Sequence, residues 1–198
     1  MFAAPARADA DAVIIAVEGL VQVRPWAEKR FLKAHPGFPL AFGDEVRTGR
    51  KAVAHVEFPD QTVVLVKEGS DFTLQGAARR KSLRFAVGEF LVGLKRTLAP
   101  EESLEIRTPS AVAAVRGTLF WGLSDSEKNS VWSGFGHKVA ITARKKTVVL
   151  EPGRTVRVPF GGQPEESVPS TVSKAFIERF AIGGELRGLE QLVDPSLK

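Results

Sequence analysis

The chain has 198 residues, 43% hydrophobic and 26% charged, with 28 Lys and Arg against 23 Asp and Glu for a formal charge of +5. That length supports one sizeable domain with a true core, and the charge aids solubility without singling out nucleic acid. The lack of cysteine excludes disulfides, thiol catalysis and cysteine-ligated metal, and no run approaches the ~20 apolar residues of a membrane span.

At the start, Met1-Phe2-Ala3-Ala4-Pro5-Ala6-Arg7-Ala8 reads as the tail of a secretory signal, with Ala6-Arg7-Ala8 as the small-residue cleavage site. Residues 1–12 are therefore expected to be a signal remnant or disordered, with a mature start near Asp9. Ala12 to Val17 is apolar, and Gly19 turns the chain into the alternating Val21-Gln22-Val23-Arg24. A basic, loop-like stretch runs from Lys29 to Pro39. Gly43-Asp44-Glu45-Val46-Arg47-Thr48-Gly49 reads as turn, short strand and turn. Ala52 to Phe58 and Thr62 to Val66 flank the turn Pro59-Asp60-Gln61 and predict a hairpin. Ala77 to Ser82 is expected to be an exposed basic turn, and two strands, Leu83 to Val87 and Glu89 to Val92, to flank Gly88.

The most constrained stretch runs from Thr108 to Phe120. Threonine before proline is pushed toward extended backbone, so a strand ends at Thr108. Val112, Val115, Leu119 and Phe120 are apolar residues of a second buried segment, interrupted by Arg116 before Gly117 and Thr118. A charge there must be paired or reach water. Arg116 is accordingly expected to be mostly buried, donating to turn carbonyls or to a carboxylate such as Asp44. Strands continue through Trp121 to Leu123, Val131-Trp132, Lys138 to Ile141 and Val148 to Leu150, with Arg144-Lys145-Lys146 a basic turn, and close at Thr155 to Val158. A Gly-x-Val-x-Val shape at Gly19 recurs loosely at Gly88 and Gly153.

Residues 13–158 thus predict an all-β body, either a sandwich or a solenoid-like stack of short antiparallel strands. Residues 159–169 read as a linker and 170–198 as a short helical C-terminal appendage. In it, Ser170 caps a helix carrying Val172, Phe176, Ile177 and Phe180 on one face. Gly183-Gly184 stops that helix, and Glu185 to Leu192 forms a second. Its expected role is to cover an apolar edge or face of the β body.

Chemistry is sparse. His35, His55 and His137 lack metal-site spacing, so no metal or cofactor is expected. Asp44 and Asp60 follow turn logic, serines lack a Gly-x-Ser-x-Gly context, and no glycine loop is built for phosphate. Arg79-Arg80-Lys81 and Arg144-Lys145-Lys146 are solvated tips or contacts for an anionic surface. Trp121 and Trp132 lie across one predicted hairpin, where they could stack as a cross-strand pair. Exposed, they would form a sugar platform; buried, they are core.

Taken together, these residues resemble the FecR domain family of bacterial extracytoplasmic proteins over roughly residues 13–158. The most specific matches are Gly43-Asp44-Glu45-Val46-Arg47-Thr48-Gly49 and Thr108-Pro109-Ser110-Ala111 through Val115-Arg116-Gly117-Thr118. The segment Trp132 to Val139 departs from the family's late glycine-preceded strand. The resemblance implies an all-β periplasmic or secreted module without catalysis, with Gly43, Asp44, Thr48, Gly49, Thr108, Pro109, Arg116, Gly117 and Thr118 as structural signature. Family members include transmembrane regulators that relay a signal from an outer-membrane receptor to a sigma factor. Without a membrane span, this chain reads as a stand-alone interaction module with an envelope protein partner. The alternative is a module for peptidoglycan or another anionic polysaccharide, contacted through Trp121, Trp132, Arg144, Lys145 and Lys146.

Overall fold

The computed structural model describes residues 10–115 and 119–192. The all-β expectation holds. In chain order the strands are β1 (Ala12–Glu18), β2 (Val21–Arg24), β3 (Leu32–Lys33), β4 (Phe38–Leu40), β5 (Glu45–Thr48) and β6 (Val53–Glu57). Next come β7 (Thr62–Val66), β8 (Asp71–Ala77), β9 (Arg80–Leu94), β10 (Ser103–Arg107), β11 (Val112–Val115) and β12 (Leu119–Ser124). The last are β13 (Ser130–Gly134), β14 (Val139–Ala143), β15 (Lys146–Leu150), β16 (Arg154–Val158) and β17 (Val168–Pro169).

One continuous ladder joins them, folded into two layers that share β9. The first layer runs β4-β1-β6-β7-β9-β12-β13-β16-β17. The second runs β3-β2-β5-β8-β9-β10-β11-β14-β15. Every pairing is antiparallel except β9 with β10.

The fold turns on β9. Its first half pairs in the second layer and its second half in the first. The two strands expected around Gly88 are therefore one strand of 15 residues. Gly88 is the corner, with φ of 139°. A Cβ there would lie 2.3 Å from Ser70 Oγ and 2.9 Å from its Cα, so only glycine lets the two backbones approach. Gly19 and Gly153 also have positive φ and also stand where the chain steps between layers. The loose Gly-x-Val-x-Val repeat thus has a physical meaning: a glycine crossing, then a strand alternating into the core.

The main core lies between the layers. Phe72, Phe85 and Phe90 stack at centroid distances of 4.9 and 4.1 Å, and Phe90 meets Trp132 edge-on at 5.7 Å. Alternation sends Val64, Val66, Phe90, Val92 and Phe120 into this core and Val63, Leu65, Leu91, Leu119 and Trp121 to the opposite face of the first layer. That second face would be an apolar patch in water. The C-terminal segment covers it with Ile177, Phe180, Leu186 and Leu189, and Leu189 sits directly on Gly93, where a Cβ would come within 2.2 Å.

The cap differs locally from the sequence reading. Its helix α1 (Lys174–Glu178) begins at Ser173, whose side chain accepts from the Phe176 N–H; Ser170 instead bonds the Val172 N–H (3.1 Å). So short a helix is marginal alone, and its apolar contacts with the first layer hold it in place. Glu185 to Leu192 yields only a 3₁₀ turn, Leu189–Leu192. The expected basic turn at Ala77 to Ser82 is also corrected. Arg80 begins β9, and Lys81 points inward, 4% exposed, ion-paired with Asp60 and 5.7 Å from the Phe58 ring centroid.

Candidate functional site

The signature residues at Gly43 to Gly49 form a clasp. Asp44 is buried and accepts backbone N–H groups from Trp26 and Ala41, each at 2.9 Å. Burial pushes its carboxyl above the ordinary range, outweighing those two amides, and nearby Asp11 adds to the rise. Gly43 has φ of 103°, and a Cβ there would strike Trp26 at 2.7 Å. Thr48 Oγ1 donates to the Lys67 carbonyl (2.6 Å) and accepts the Ser70 N–H (2.9 Å), and the Gly49 N–H reaches the Leu20 carbonyl (2.8 Å). Asp44→Ala strands two amide donors and is expected to cost about 2 kcal/mol. Asp44→Asn should also destabilise, because it puts a donor where an acceptor is needed. Denaturant midpoints equal to that of the parent chain would contradict this.

The second signature segment splits between layers: Val112–Val115 lies in the second and Leu119–Ser124 in the first. Arg116, Gly117 and Thr118, including the expected pairing of Arg116 with Asp44, lie outside the described residues. Pro109 is exposed. The Thr108 N–H donates to the Ala111 carbonyl (2.9 Å), and Thr108 Oγ1 accepts the Ala111 N–H (3.2 Å). From this turn a chain of hydrogen bonds runs inward: Ser110 Oγ to Ser130 Oγ (2.6 Å), which accepts the Trp132 Nε1 proton (2.8 Å).

The two tryptophans do not stack. Trp121 lies opposite Ser133, and Trp132 opposite Gly122, so their rings leave the hairpin on opposite faces. Trp132 is wholly enclosed between the layers, and Trp121 is buried under the cap. Both belong to core, and the exposed aromatic platform is absent from this pair. Arg144, Lys145 and Lys146 are exposed at the β14–β15 hairpin, where Lys146 Nζ donates to the Pro164 carbonyl (3.1 Å).

Between α1 and the first layer opens a groove of about 390 Å³. On its walls Glu89 accepts from Trp121 Nε1 (3.0 Å) and from Arg179 Nη2 (2.5 Å). The Arg179 guanidinium lies 3.8 Å from the Phe176 ring centroid, and Phe176 meets Trp121 edge-on at 5.3 Å. Across the groove Ser133 Oγ bonds Thr155 Oγ1 (2.5 Å). Among the described residues these polar groups satisfy one another, so the groove offers shape and masked charge. The sequence signal was Glu89 itself, a carboxylate opening the apolar run Phe90-Leu91-Val92. Its partner Arg179 stands ninety residues away.

A second polar link ties the cap down. His55, fully buried on β6, shares a 2.7 Å hydrogen bond between Nε2 and the Phe180 carbonyl, and its Nδ1 is buried with no hydrogen-bond partner among the described residues. Lys67 Nζ donates to the adjacent Arg179 carbonyl (2.8 Å). His35 and His137 are exposed. Among the described residues, no group of three or more His, Asp or Glu could hold a metal ion, and no helix is long and apolar enough to cross a membrane.

Known proteins place this architecture. Residues 44–135 match the family model described as FecR protein, so the chain carries a FecR domain. The match begins at the Asp44 clasp, contains all of β9 and ends just past β13. Two crystal structures of a candidate anti-sigma factor from Parabacteroides distasonis ATCC 8503 share the fold, each with a TM-score of 0.56 at 19% identity. Each alignment covers 64% of this chain and 59% of the other, so the likeness spans under two thirds of that protein's length. No curated protein matches the chain in sequence.

Proposed function

We propose that the protein is a non-catalytic, regulatory interaction module of the bacterial envelope, acting by binding a protein partner. The observation that carries this reading is the FecR domain at residues 44–135, which includes the shared strand β9. The anti-sigma-factor description of the proteins with the same fold agrees with a signalling role. The groove agrees with a non-catalytic role: its carboxylate Glu89 is already answered by Trp121 and Arg179. The glycan reading leaned on Trp121 and Trp132 as a platform, and both are buried, so protein binding is better supported.

The test is chemical crosslinking of the intact tagged chain in an envelope fraction. A discrete protein adduct that excess untagged chain abolishes is expected. No competed protein adduct, together with saturable binding to purified cell wall at low salt, would replace this reading with the glycan one.

A further inference from the structure

Each layer ends in two edge strands, and three of these four edges are short. β3 and β17 have two residues each, one of them a proline in β17, and β4 has three. β15, the outer strand of the second layer, has five. Edges with unpaired N–H and C=O groups are templates for an added strand, and among the described residues only β15 is long enough to hold one.

Its geometry says which groups are available. β14 and β15 pair Ala143 with Lys146 across a two-residue turn. That closing pair is hydrogen-bonded in such hairpins, so Lys146, Val148 and Leu150 bond back to β14. The N–H and C=O groups of Thr147 and Val149 therefore point outward. Among the described residues, no backbone hydrogen bond outside the ladder reaches β15. Val149 is 52% exposed and sits in register with Ala140 and, one strand further, Ala114, a shallow apolar row beside the edge.

The turn itself is strained in a telling way. Arg144 and Lys145 occupy φ of 47° and 65°, the left-handed region that such a turn fills best with Asn-Gly. Two long cations are held there at a conformational cost, and strain of this kind gathers at functional positions. Neither has an ion-pair partner among the described residues. At the far end of β15, Glu151 is neutralised by Lys138 (2.8 Å), so the edge presents net positive charge.

We infer that the β15 edge docks an extended, acidic segment of a partner protein, which adds as a strand alongside Thr147–Val149 with its carboxylates at Arg144 and Lys145. This rests on the protein-binding reading above and names its surface. The outward backbone groups demand an extended chain, and the unpaired tip demands negative charge. A second copy of the chain, paired antiparallel, would set Arg144 and Lys145 against the far end of its β15. There Glu151 is already neutralised by Lys138, which would leave the cations without free carboxylates.

The test titrates the intact protein with a short synthetic peptide of alternating valine and glutamate, and with the same peptide carrying lysine for glutamate. The acidic peptide is expected to bind about tenfold tighter, as two exposed ion pairs allow, and to protect the Thr147 and Val149 amides from exchange. Val149→Pro removes one outward N–H without breaking the β14 ladder, and should keep the melting temperature and abolish binding. The double variant R144N/K145G supplies the preferred turn. It should melt higher than the parent yet bind the acidic peptide more weakly and with less salt dependence. Equal binding of the two peptides, no binding of either, full binding by Val149→Pro, or self-association of the parent that Val149→Pro removes would each overturn the inference. If Val149→Pro still captures the envelope adduct, the interaction reading stands and the edge is not its surface.

Discussion

Replacing Trp132 by alanine is expected to cost about 3–5 kcal/mol of stability, in the range of buried aromatic truncations. The indole is wholly enclosed, bounded by Phe90 at 5.7 Å and Phe120 at 6.4 Å between ring centroids. Beneath it lies the backbone of Gly122, where a Cβ would come within 2.4 Å of the Phe90 ring and 3.1 Å of the indole. Neighbours that are rings or bare backbone have little to swing into the vacated volume, so the cavity persists and its cost is near the full value. The same substitution removes the Nε1 donor from Ser130 and so unties the hydrogen-bond chain to the Thr108 turn. Denaturant unfolding should show a lower midpoint at unchanged slope. Trp132→Phe, which keeps a ring, should lose clearly less. A loss under about 1 kcal/mol for alanine would contradict the placement of Trp132 at the centre of a packed core.

The second large effect concerns acid and the cap. His55 is held below its ordinary 6.5, first because burial penalises the charged ring, and further by Arg187; the Phe180 carbonyl and Glu185 oppose the shift. Lys67, bonded to the neighbouring Arg179 carbonyl and 5.9 Å from the Phe180 ring centroid, adds a second cation at the same seam. With the folded-state value depressed, the unfolded chain takes up the proton first as pH falls. Stability is therefore flat above about 6.5 and drops progressively below it until the folded histidine also protonates. A proton arriving at Nδ1 finds no acceptor while the cap is closed, and opening the cap gives the charged ring water, so acid favours the opened cap. Going from neutral pH to about pH 5, amides of residues 174–192 should exchange faster and an apolar dye should bind the uncovered face of the first layer. His55→Leu should abolish the part of this pH dependence that belongs to the imidazole. Phe180→Ala should loosen the cap at neutral pH, at a cost of about 3–5 kcal/mol where the ring is lost from a closed site. Identical pH profiles for the parent and His55→Leu would rule out this linkage.

Much of the fold was legible because the strands alternate and the crossings use glycine. The hairpin of β6 and β7, flanking Pro59-Asp60-Gln61, follows directly from period-two pattern and turn chemistry. Gly88 misled in an instructive way: within a sequence it looks like a connection, whereas here it is a corner inside a single strand. Trp121 and Trp132 show the limit set by register. A slip of one residue decides whether two hairpin side chains share a face, and only the pairing of Trp121 with Ser133 settles it. Lys81 was misplaced because a basic triplet reads as solvent-facing, and its buried partner Asp60 is 21 residues away. The groove was hidden for the same reason, since Glu89 and Arg179 meet only after the chain has closed its outer layer. At Arg144 and Lys145 the residue types were visible, but the left-handed backbone that makes them informative was not.

The most direct measurement places a photocrosslinking residue at two positions in the intact chain, Val149 on the β15 edge and Thr171 beside the groove, and exposes each variant to the envelope fraction. The account predicts a partner adduct from position 149, weakened in R144N/K145G, and none from position 171. An adduct from position 171 alone would contradict it and move the interaction surface to the groove under the cap.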